Sequence, residues 1–439
     1  MQDLMGVSCI VKNMSLAIFR QISRFAKVLP LYSTSFTFRT RALFLSSGVA
    51  LAGLTGMALV GAAFAQHSAF VTSTSGNADL NSWTDAGGLE GLAAADRICS
   101  QRAQSANLTG TFVAALSDET DDAFCRLHGL TGKRADNCGM DVLPNDAGPW
   151  VRVDGYPLGD SLAAMIDGRM WVPVQLDENG EQVTFDHWTG SFARGNVSAG
   201  ETCEGWTSAS TSLFGGKGDS YGTKDIWLSG GSSRCDQDLH LLCLESGPGA
   251  PVAIPYAEGA LVFYERQNYA ADFGSLEAAD AICKQAAAEA ELPVPESFKA
   301  WLSDSNTNAI DRFTWDGPWK RLDGVPVAQN KADLTDGILF APINLTEDGL
   351  YTALQGGVWT STNFDGTRTA SNCQDWTSTS QDETSERLRT MATTDAGWTV
   401  FSNGIEDLTW RCSVEVGFYC FAQVAIEGII FADDFESQN

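Results

Sequence analysis

The sequence has few of the residues on which most metal sites and many enzymes depend. Among its 439 residues are only four histidines, none at zinc-ligand spacing from a cysteine, and there is no Cys-x-x-Cys pair. The motifs Gly-x-Ser-x-Gly and His-Glu-x-x-His and a phosphate-cradling glycine loop are also absent. We therefore predict a protein with no metal centre and no enzymatic activity.

Basic residues are scarce as well. The chain has 28 Lys and Arg against 55 Asp and Glu, and its formal net charge is −27. Residues 1–65 hold six of the basic residues and one acid, which leaves 22 basic and 54 acidic residues, a net charge of −32, on the remainder. Such a surface repels nucleic acid, heparin-like polymers and anionic lipid, so we expect none of these as partners.

Residues 1–65 are typical of an export signal. Arg39 and Arg41 precede an apolar stretch at 42–60, and an Ala-x-Ala cleavage signal follows at 63–65. An apolar stretch of about 20 residues can also anchor a protein in a bilayer. The glycines within it and the lack of positive charge after it favour cleavage, so we expect a secreted or cell-surface protein with no membrane insertion after cleavage.

The same landmarks occur twice in the rest of the chain. The segment 148–155, Gly-Pro-Trp-Val-Arg-Val-Asp-Gly, returns at 317–324 as Gly-Pro-Trp-Lys-Arg-Leu-Asp-Gly, and Cys-x-x-Trp-Thr-Ser occurs at 203–208 and at 373–378. A period near 170 to 180 residues is far longer than that of solenoid repeats. The chain therefore contains a duplicated globular domain.

Each copy has the same predicted order of elements. A short strand is followed by a helix, at Leu92–Ala106 and at Leu276–Ala290, whose apolar residues recur at helical spacing. A second helix is expected soon after, capped by Ser117 or Asp118 and by Ser303 or Asp304. Short strands, turns and long loops make up the remainder, so the fold class is α+β. We divide the chain into an export segment (1–65), a first domain (68–245), a Pro/Gly linker (246–258), a second domain (259–422) and a tail (423–439).

Ten cysteines remain outside the export segment, and an even number in an exported chain predicts a disulfide framework. Between its first cysteine and its Gly-Pro-Trp block, the first copy has 15 more residues than the second. Cys125 and Cys138 lie in this insertion, so we predict that they bond to each other. The pairing of the other eight cysteines is left open by the sequence alone.

Taken together, the Ala-Asp-x-x-Cys stretch, the Trp-x-Gly-Ser block at 188–191, the Cys-x-x-Trp-x-Ser block and the terminal cysteines resemble endostatin, the C-terminal non-collagenous domain of certain collagens. They also resemble a family of uncharacterised exported bacterial domains. The resemblance covers nearly all of both copies and implies two C-type-lectin-like domains, each with a distorted antiparallel sheet, two helices and long loops. It further implies nested disulfides in each copy: Cys99–Cys243 around Cys203–Cys235, and Cys283–Cys420 around Cys373–Cys412.

The differences from these families limit what can be transferred. Clustered arginines and N-terminal histidines carry the heparin and zinc binding of endostatin, whereas this chain is acidic and keeps only His67 near its expected mature N-terminus. The calcium-binding Glu-Pro-Asn or Gln-Pro-Asp loop of sugar-binding C-type lectins is absent too. The oxygen-rich stretch 304–308 starts like an EF-hand loop, but Ala309 and Trp315 replace the required Gly and Glu, which favours a capped helix start. We therefore expect no cofactor, with calcium as the alternative.

Tryptophans divide into two groups. Those that recur in the shared blocks are expected to pack in the core. Trp227, Trp398 and Trp410 lie in loop-like sequence and are predicted to contact a ligand.

The sequence thus predicts a monomeric, secreted or cell-surface binding protein that recognises an extracellular glycan or protein ligand through loop surfaces. The short acidic, Phe-containing ending at 431–436 resembles that of exported proteins in some Gram-negative bacteria. A calcium-dependent carbohydrate-binding adhesin and an extracellular hydrolase are the alternatives.

Overall fold

The computed structural model describes residues 66–426, apart from 184–185, 256, 353–356, 387, 389 and 401–408. The expected export segment and the end of the tail, 427–439, lie outside the described residues. The two copies, called the first copy (68–245) and the second copy (259–422), belong to one compact unit.

In its described residues the first copy has seven strands and four α-helices. Its elements in chain order are β1 (His67–Val71), α1 (Gly91–Ser105), β2 (Phe112–Ala114), α2 (Ala123–Leu127), β3 (Trp150–Arg152), α3 (Leu162–Ile166), β4 (His187–Trp188), α4 (Cys203–Trp206), β5 (Phe214–Gly218), β6 (Gly231–Arg234) and β7 (His240–Glu245).

The second copy repeats this order with small differences. Its elements are β8 (Ala260–Tyr269), α5 (Leu276–Glu289), β9 (Lys299–Ala300), α6 (Ala309–Arg312), β10 (Trp319–Lys320), β11 (Pro326–Ala328), α7 (Lys331–Leu334), α8 (Cys373–Trp376), β12 (Thr384–Glu386), β13 (Thr409–Arg411) and β14 (Val416–Phe421).

Each copy is built on a mixed sheet. In the first copy β1 lies between β3 and β7, β2 pairs with β7, and the order continues β7-β4-β5-β6. In the second copy the order β10-β8-β14-β9 repeats this centre. The first strand runs antiparallel to the last strand but parallel to β3 or β10. The sheets are therefore mixed, and the expectation of an antiparallel sheet is corrected for these pairs. The broader prediction of a fold with both helices and sheets, held by disulfides, is confirmed.

The long helices occupy the predicted places. In α1 the side chains of Leu92, Ala95, Ile98 and Cys99 are buried, as their spacing required. The helix α5 begins after Ser275, whose hydroxyl accepts a hydrogen bond from the Ala278 amide at 3.3 Å. Both helices pack against the short strand that follows them.

The second helices begin later than predicted. The helices α2 and α6 start at Ala123 and Ala309, and neither of their N-cap residues caps with its side chain. The expected cap residues Ser117 and Ser303 nevertheless accept hydrogen bonds from the first amides of these helices, at 2.8 and 2.9 Å. Each serine lies six residues before the helix, and the turn between them brings its hydroxyl to the first helical amide. Local spacing alone does not predict a cap from this distance in sequence.

Candidate functional site

The disulfides tie the sheet, the helices and the loops of each copy together. The structure joins Cys99 to Cys243 and Cys283 to Cys420, with Cα–Cα distances of 5.5 Å in both, so the first helix is linked to the last strand. The remaining bonds are Cys125–Cys138, Cys203–Cys235 and Cys373–Cys412. These are the five pairs expected from the insertion and the resemblance.

The framework tryptophans are buried as predicted, in equivalent places in the two copies. Trp150, Trp188 and Trp206, and their counterparts Trp319, Trp359 and Trp376, have no exposed surface. The Trp206 indole donates to the carbonyl oxygen of Ser117 at 2.8 Å. The Trp376 indole donates to that of Ser303 at 2.9 Å. These rings therefore connect the loop half of each copy to its early strand.

Two of the three tryptophans predicted to contact a ligand are buried in the cores. Trp227 and Trp398 are only 1% exposed and pack in the two cores, so neither offers a surface to a ligand, and this prediction is corrected. They occupy equivalent positions, each four residues after a threonine that pairs between the copies. Trp410 is half-buried on β13 and packs against the core of the second copy.

The two copies contact each other through matching segments. Gly222 forms an antiparallel bridge with Thr393. The Thr223 amide donates to the Ala392 carbonyl oxygen at 2.8 Å, and the Thr394 amide donates to that of Tyr221 at 3.1 Å. Because equivalent residues make both bonds, the two copies meet about an approximate twofold axis.

Two buried arginines lie beside this junction. The Arg152 guanidinium lies 4.6 Å from the centre of the Phe340 ring of the second copy. Tyr156 packs edge-on against the same ring, with centroids 4.9 Å apart. The Arg321 guanidinium lies 5.7 Å from the centre of the Tyr351 ring. Aromatic rings and cations therefore pack together at the junction.

A cleft of about 400 Å³ opens at one side of this junction. We call it the inter-copy cleft. The end of α3 and loops of both copies line it. Its lining residues are Ile166, Asp167, Gly168, Ala193, Arg194, Lys224, Asp225, Tyr351 and Thr352.

Lys224 is the most unusual side chain of the inter-copy cleft. It is only 5% exposed, and its backbone adopts a left-handed conformation with φ of 55°, which is uncommon for a residue other than glycine. The ammonium donates a hydrogen bond to the Thr352 hydroxyl at 3.3 Å. Among the described residues, no carboxylate oxygen lies within 4 Å of it.

The charge of Lys224 is costly in this position. Burial lowers its pKa to about 8, although the nearby Asp225 carboxylate opposes the shift. Arg194 and Asp167 are exposed at the rim and add one charge of each sign. The cleft therefore combines a poorly solvated cation with carboxylates, a hydroxyl and an aromatic ring.

No group of three or more His, Cys, Asp or Glu side chains in the described part of the chain could hold a metal ion. The oxygen-rich stretch at 304–308 forms a turn, because the Asp304 carboxylate accepts from the amides of Asn306 and Thr307 at 2.8 and 2.7 Å. His187 is fully enclosed and bonds to Ser220 and to the Trp227 carbonyl oxygen. Burial lowers its pKa to about 4, so it stays neutral at physiological pH.

Lys224 was not among the predicted site residues, although comparison of the two copies gives one signal for it. Aligned on their tryptophans, residues 223–227 and 394–398 both begin with threonine, and Lys224 then stands opposite Asp395. This reversal of charge between copies marks a position where they differ in chemistry. Thr352, which contacts Lys224, is 128 residues away in sequence and could not be associated with it.

Comparison with protein-family models and with curated protein sequences finds no match for this chain. Within residues 66–426 that the structure describes, no helix is both long enough and apolar enough to cross a membrane.

Proposed function

We propose that the protein is a secreted or cell-surface, non-catalytic binding protein made of two endostatin-like modules of C-type-lectin type. The nested disulfides, which link the first helix of each copy to its last strand, support this proposal. Bonds of this kind persist in oxidising compartments outside the cytosol. The export signal expected in residues 1–65 agrees with that location.

The ligand binds in the inter-copy cleft through an acidic group. Buried Lys224, which has a hydroxyl as its hydrogen-bond acceptor and no carboxylate oxygen within 4 Å among the described residues, is the observation that carries this step. A ligand carboxylate would supply the missing counter-charge, and buried cations without one are costly. Arg194 at the rim would add a second donor.

The rest of the cleft favours a ligand with hydroxyl groups. Asp167 and Asp225 can accept hydrogen bonds from hydroxyls, and the Tyr351 ring provides an apolar face. A sugar acid, with one carboxylate and several hydroxyls, has this combination. The net charge of the chain opposes dense polyanions, so we propose a single acidic sugar unit of an extracellular glycan rather than a heparin-like polymer.

Calorimetric titration of the exported protein tests this function. Methyl glucuronide and methyl glucoside differ by one carboxylate, and we expect only the glucuronide or a related sugar acid to bind. Lys224→Met should weaken that binding by about 10- to 100-fold, as expected for the loss of a charged hydrogen bond. Lys284→Met, on the exposed face of α5, removes the same charge away from the cleft and should have no effect.

Equal binding of the two sugars, or undiminished binding by Lys224→Met, would contradict binding of an acidic group at Lys224 in the inter-copy cleft. A requirement for calcium in the same titration would favour the adhesin alternative. Turnover of the glycoside would favour the hydrolase.

A further inference from the structure

A second cavity lies wholly within the second copy. It measures about 130 Å³ and is bounded by β8, by α5 and by the turn at 347–348. We call it the acidic pocket. Glu265, Glu289, Glu347 and Asp348 line it, against a single cation, Arg266.

Glu265 is the buried group of the acidic pocket. It is 2% exposed, and one oxygen, Oε1, accepts hydrogen bonds from the Gln267 amide at 3.1 Å and from the Tyr269 hydroxyl at 3.5 Å. The other oxygen, Oε2, is buried and has no hydrogen-bond partner among the described residues. Most buried polar atoms have a partner, and an unpaired carboxylate oxygen is especially costly. This oxygen therefore indicates a donor that comes from outside the chain.

The first copy shows what occupies the equivalent place. The helix cysteines Cys99 and Cys283 align the two copies, so Arg102 corresponds to Ala286, a lining residue of the pocket. Glu178 corresponds to Glu347, because each accepts a hydrogen bond from the backbone amide three residues after the equivalent phenylalanines Phe70 and Phe263. The Arg102 guanidinium lies 3.8 Å from Glu178 and 2.6 Å from Asp85. The first copy thus fills this site with its own cation.

The residue opposite this cation also differs. Thr72 of the first copy corresponds to Glu265, since the disulfide-bonded Cys243 and Cys420 pair with Phe70 and Phe263 on the neighbouring strand. The Thr72 hydroxyl is satisfied, because it donates to the Thr74 carbonyl oxygen and accepts from the Leu241 amide. The second copy therefore has alanine in the position of Arg102 and a buried carboxylate in the position of Thr72.

We propose that the acidic pocket binds the primary ammonium group of a small aliphatic amine, in the place that Arg102 fills in the first copy. An ammonium group donates three hydrogen bonds, and Glu265 Oε2 and the Glu347 carboxylate offer acceptors for it. Ile282 and Ala290 of α5 line the pocket and can contact an alkyl chain. A metal ion fits less well, because no group of three or more acidic, His or Cys side chains in the described residues could hold one.

Arg266 does not balance the negative charge of the four acidic residues that line the pocket. It is half exposed and pairs with Glu347 at 3.1 Å and with Asp348 from the solvent side. Among the described residues, Arg266 forms no ion pair with Glu265. One cation thus pairs with two carboxylates and favours the ionised form of Glu265 with the smallest effect of the groups that shift its pKa, and the rim residue Glu289 has no ion pair in the part of the chain that the structure describes.

Binding should depend on pH because Glu265 must be ionised. Burial raises its pKa to about 7, and the neighbouring Glu347 adds to this shift. The other ionisable groups that line the pocket are Arg266 and Tyr269 on β8, Glu289 on α5, and Glu347 and Asp348 on the turn. Burial also raises the pKa of Glu347, which acts in the same direction. Affinity for an amine should therefore increase about tenfold from pH 6 to pH 8.

Calorimetry with n-butylammonium chloride tests the proposal on the exported protein. We expect binding that releases about half a proton per amine at pH 7, measured as a difference between two buffers of unlike ionisation enthalpy. Glu265→Gln should weaken binding at least tenfold and abolish the proton release. Glu289→Gln, a matched change at the exposed rim, should weaken it less than threefold. Tetramethylammonium, which cannot donate hydrogen bonds, should bind at least tenfold more weakly than butylammonium.

Ala286→Arg places in the second copy the residue that the first copy has at the equivalent position, Arg102. It should abolish amine binding and raise the thermal midpoint in the absence of ligand, because the new guanidinium occupies the pocket. No heat with butylammonium, binding of calcium in its place, or unchanged affinity in Glu265→Gln would overturn the proposal. Lys224→Met should leave amine binding unchanged, so failure of the inter-copy cleft and failure of the acidic pocket can be told apart.

Discussion

The two copies contain a matched pair of buried ion pairs that allows a sharp prediction. The Arg321 guanidinium donates to Asp323 through Nε at 3.1 Å and through Nη2 at 2.5 Å. The equivalent Arg152 donates to Asp154 at 3.2 and 2.7 Å. Each carboxylate also accepts from a backbone amide two residues later, at 3.2 and 3.1 Å. The contacts to the two aspartates are the same, but Asp323 is 6% exposed whereas Asp154 is 35% exposed.

Burial should decide the cost of removing each carboxylate charge. Burial lowers the pKa of Arg321, but the Asp323 carboxylate more than offsets this, and the guanidinium stays charged. In Asp323→Asn the buried cation keeps Asn344 as an acceptor at 2.7 Å but loses its counter-charge. Breaking a buried pair in this way costs about 3 to 5 kcal/mol, and the amide oxygen that remains favours the lower end. In Asp154→Asn, water can solvate the change, and we expect about 1 kcal/mol or less.

Urea denaturation with the disulfides intact measures both free energies of unfolding. We expect Asp323→Asn to lower the unfolding free energy by about 2 kcal/mol more than Asp154→Asn, with unchanged dependence on urea. Equal losses for the two variants would refute the reasoning, since it attributes the difference to burial alone. A larger loss in Asp154→Asn would refute it more strongly.

Two further predictions concern the disulfides and the inter-copy cleft. Replacing Cys99 and Cys243 by alanine opens a loop with a sequence separation of 144 and should lower the free energy of unfolding by about 5 kcal/mol. Replacing Cys125 and Cys138, with a separation of 13, should lower it by about 3 kcal/mol, and chemical denaturation measures both losses. The reverse order would contradict the loop-entropy account. Because burial lowers the pKa of Lys224 to about 8, sugar-acid affinity should fall about tenfold between pH 7 and pH 9. Lys224→Arg keeps its charge over this range, so any affinity that it retains should not fall, and a wild-type affinity that stays constant would exclude the ammonium as the anion-binding group.

Local patterns in the sequence predicted a large part of the fold. The spacing of Leu92, Ala95 and Ile98 predicted α1, and the same pattern predicted α5, because helical periodicity depends on residues only three or four apart. The insertion with Cys125 and Cys138 predicted a local disulfide for the same reason. The long-range pairs, such as Cys99–Cys243, came from the resemblance to endostatin and not from spacing.

The loops were harder to interpret. Trp227 and Trp398 were expected at a binding surface because the surrounding sequence has no regular period, yet both are in the core. In a fold with long loops, loop residues also bury apolar surface, and periodicity does not identify them. The duplication does give a signal for burial, because Trp227 and Trp398 occupy equivalent positions and tryptophans that recur in both copies are expected in the core.

The duplication, the early helices and the even set of cysteines follow from the sequence, since each of these depends on residue type and local spacing. The folded structure was needed to find that Thr223 and Thr394 join the two copies, that Lys224 lies against Thr352, and that Glu265 is buried beside Ala286. Contacts between distant segments depend on how the whole chain packs. The electrostatic cost of a charge depends in turn on that packing, so neither candidate site can be recognised before the chain is folded.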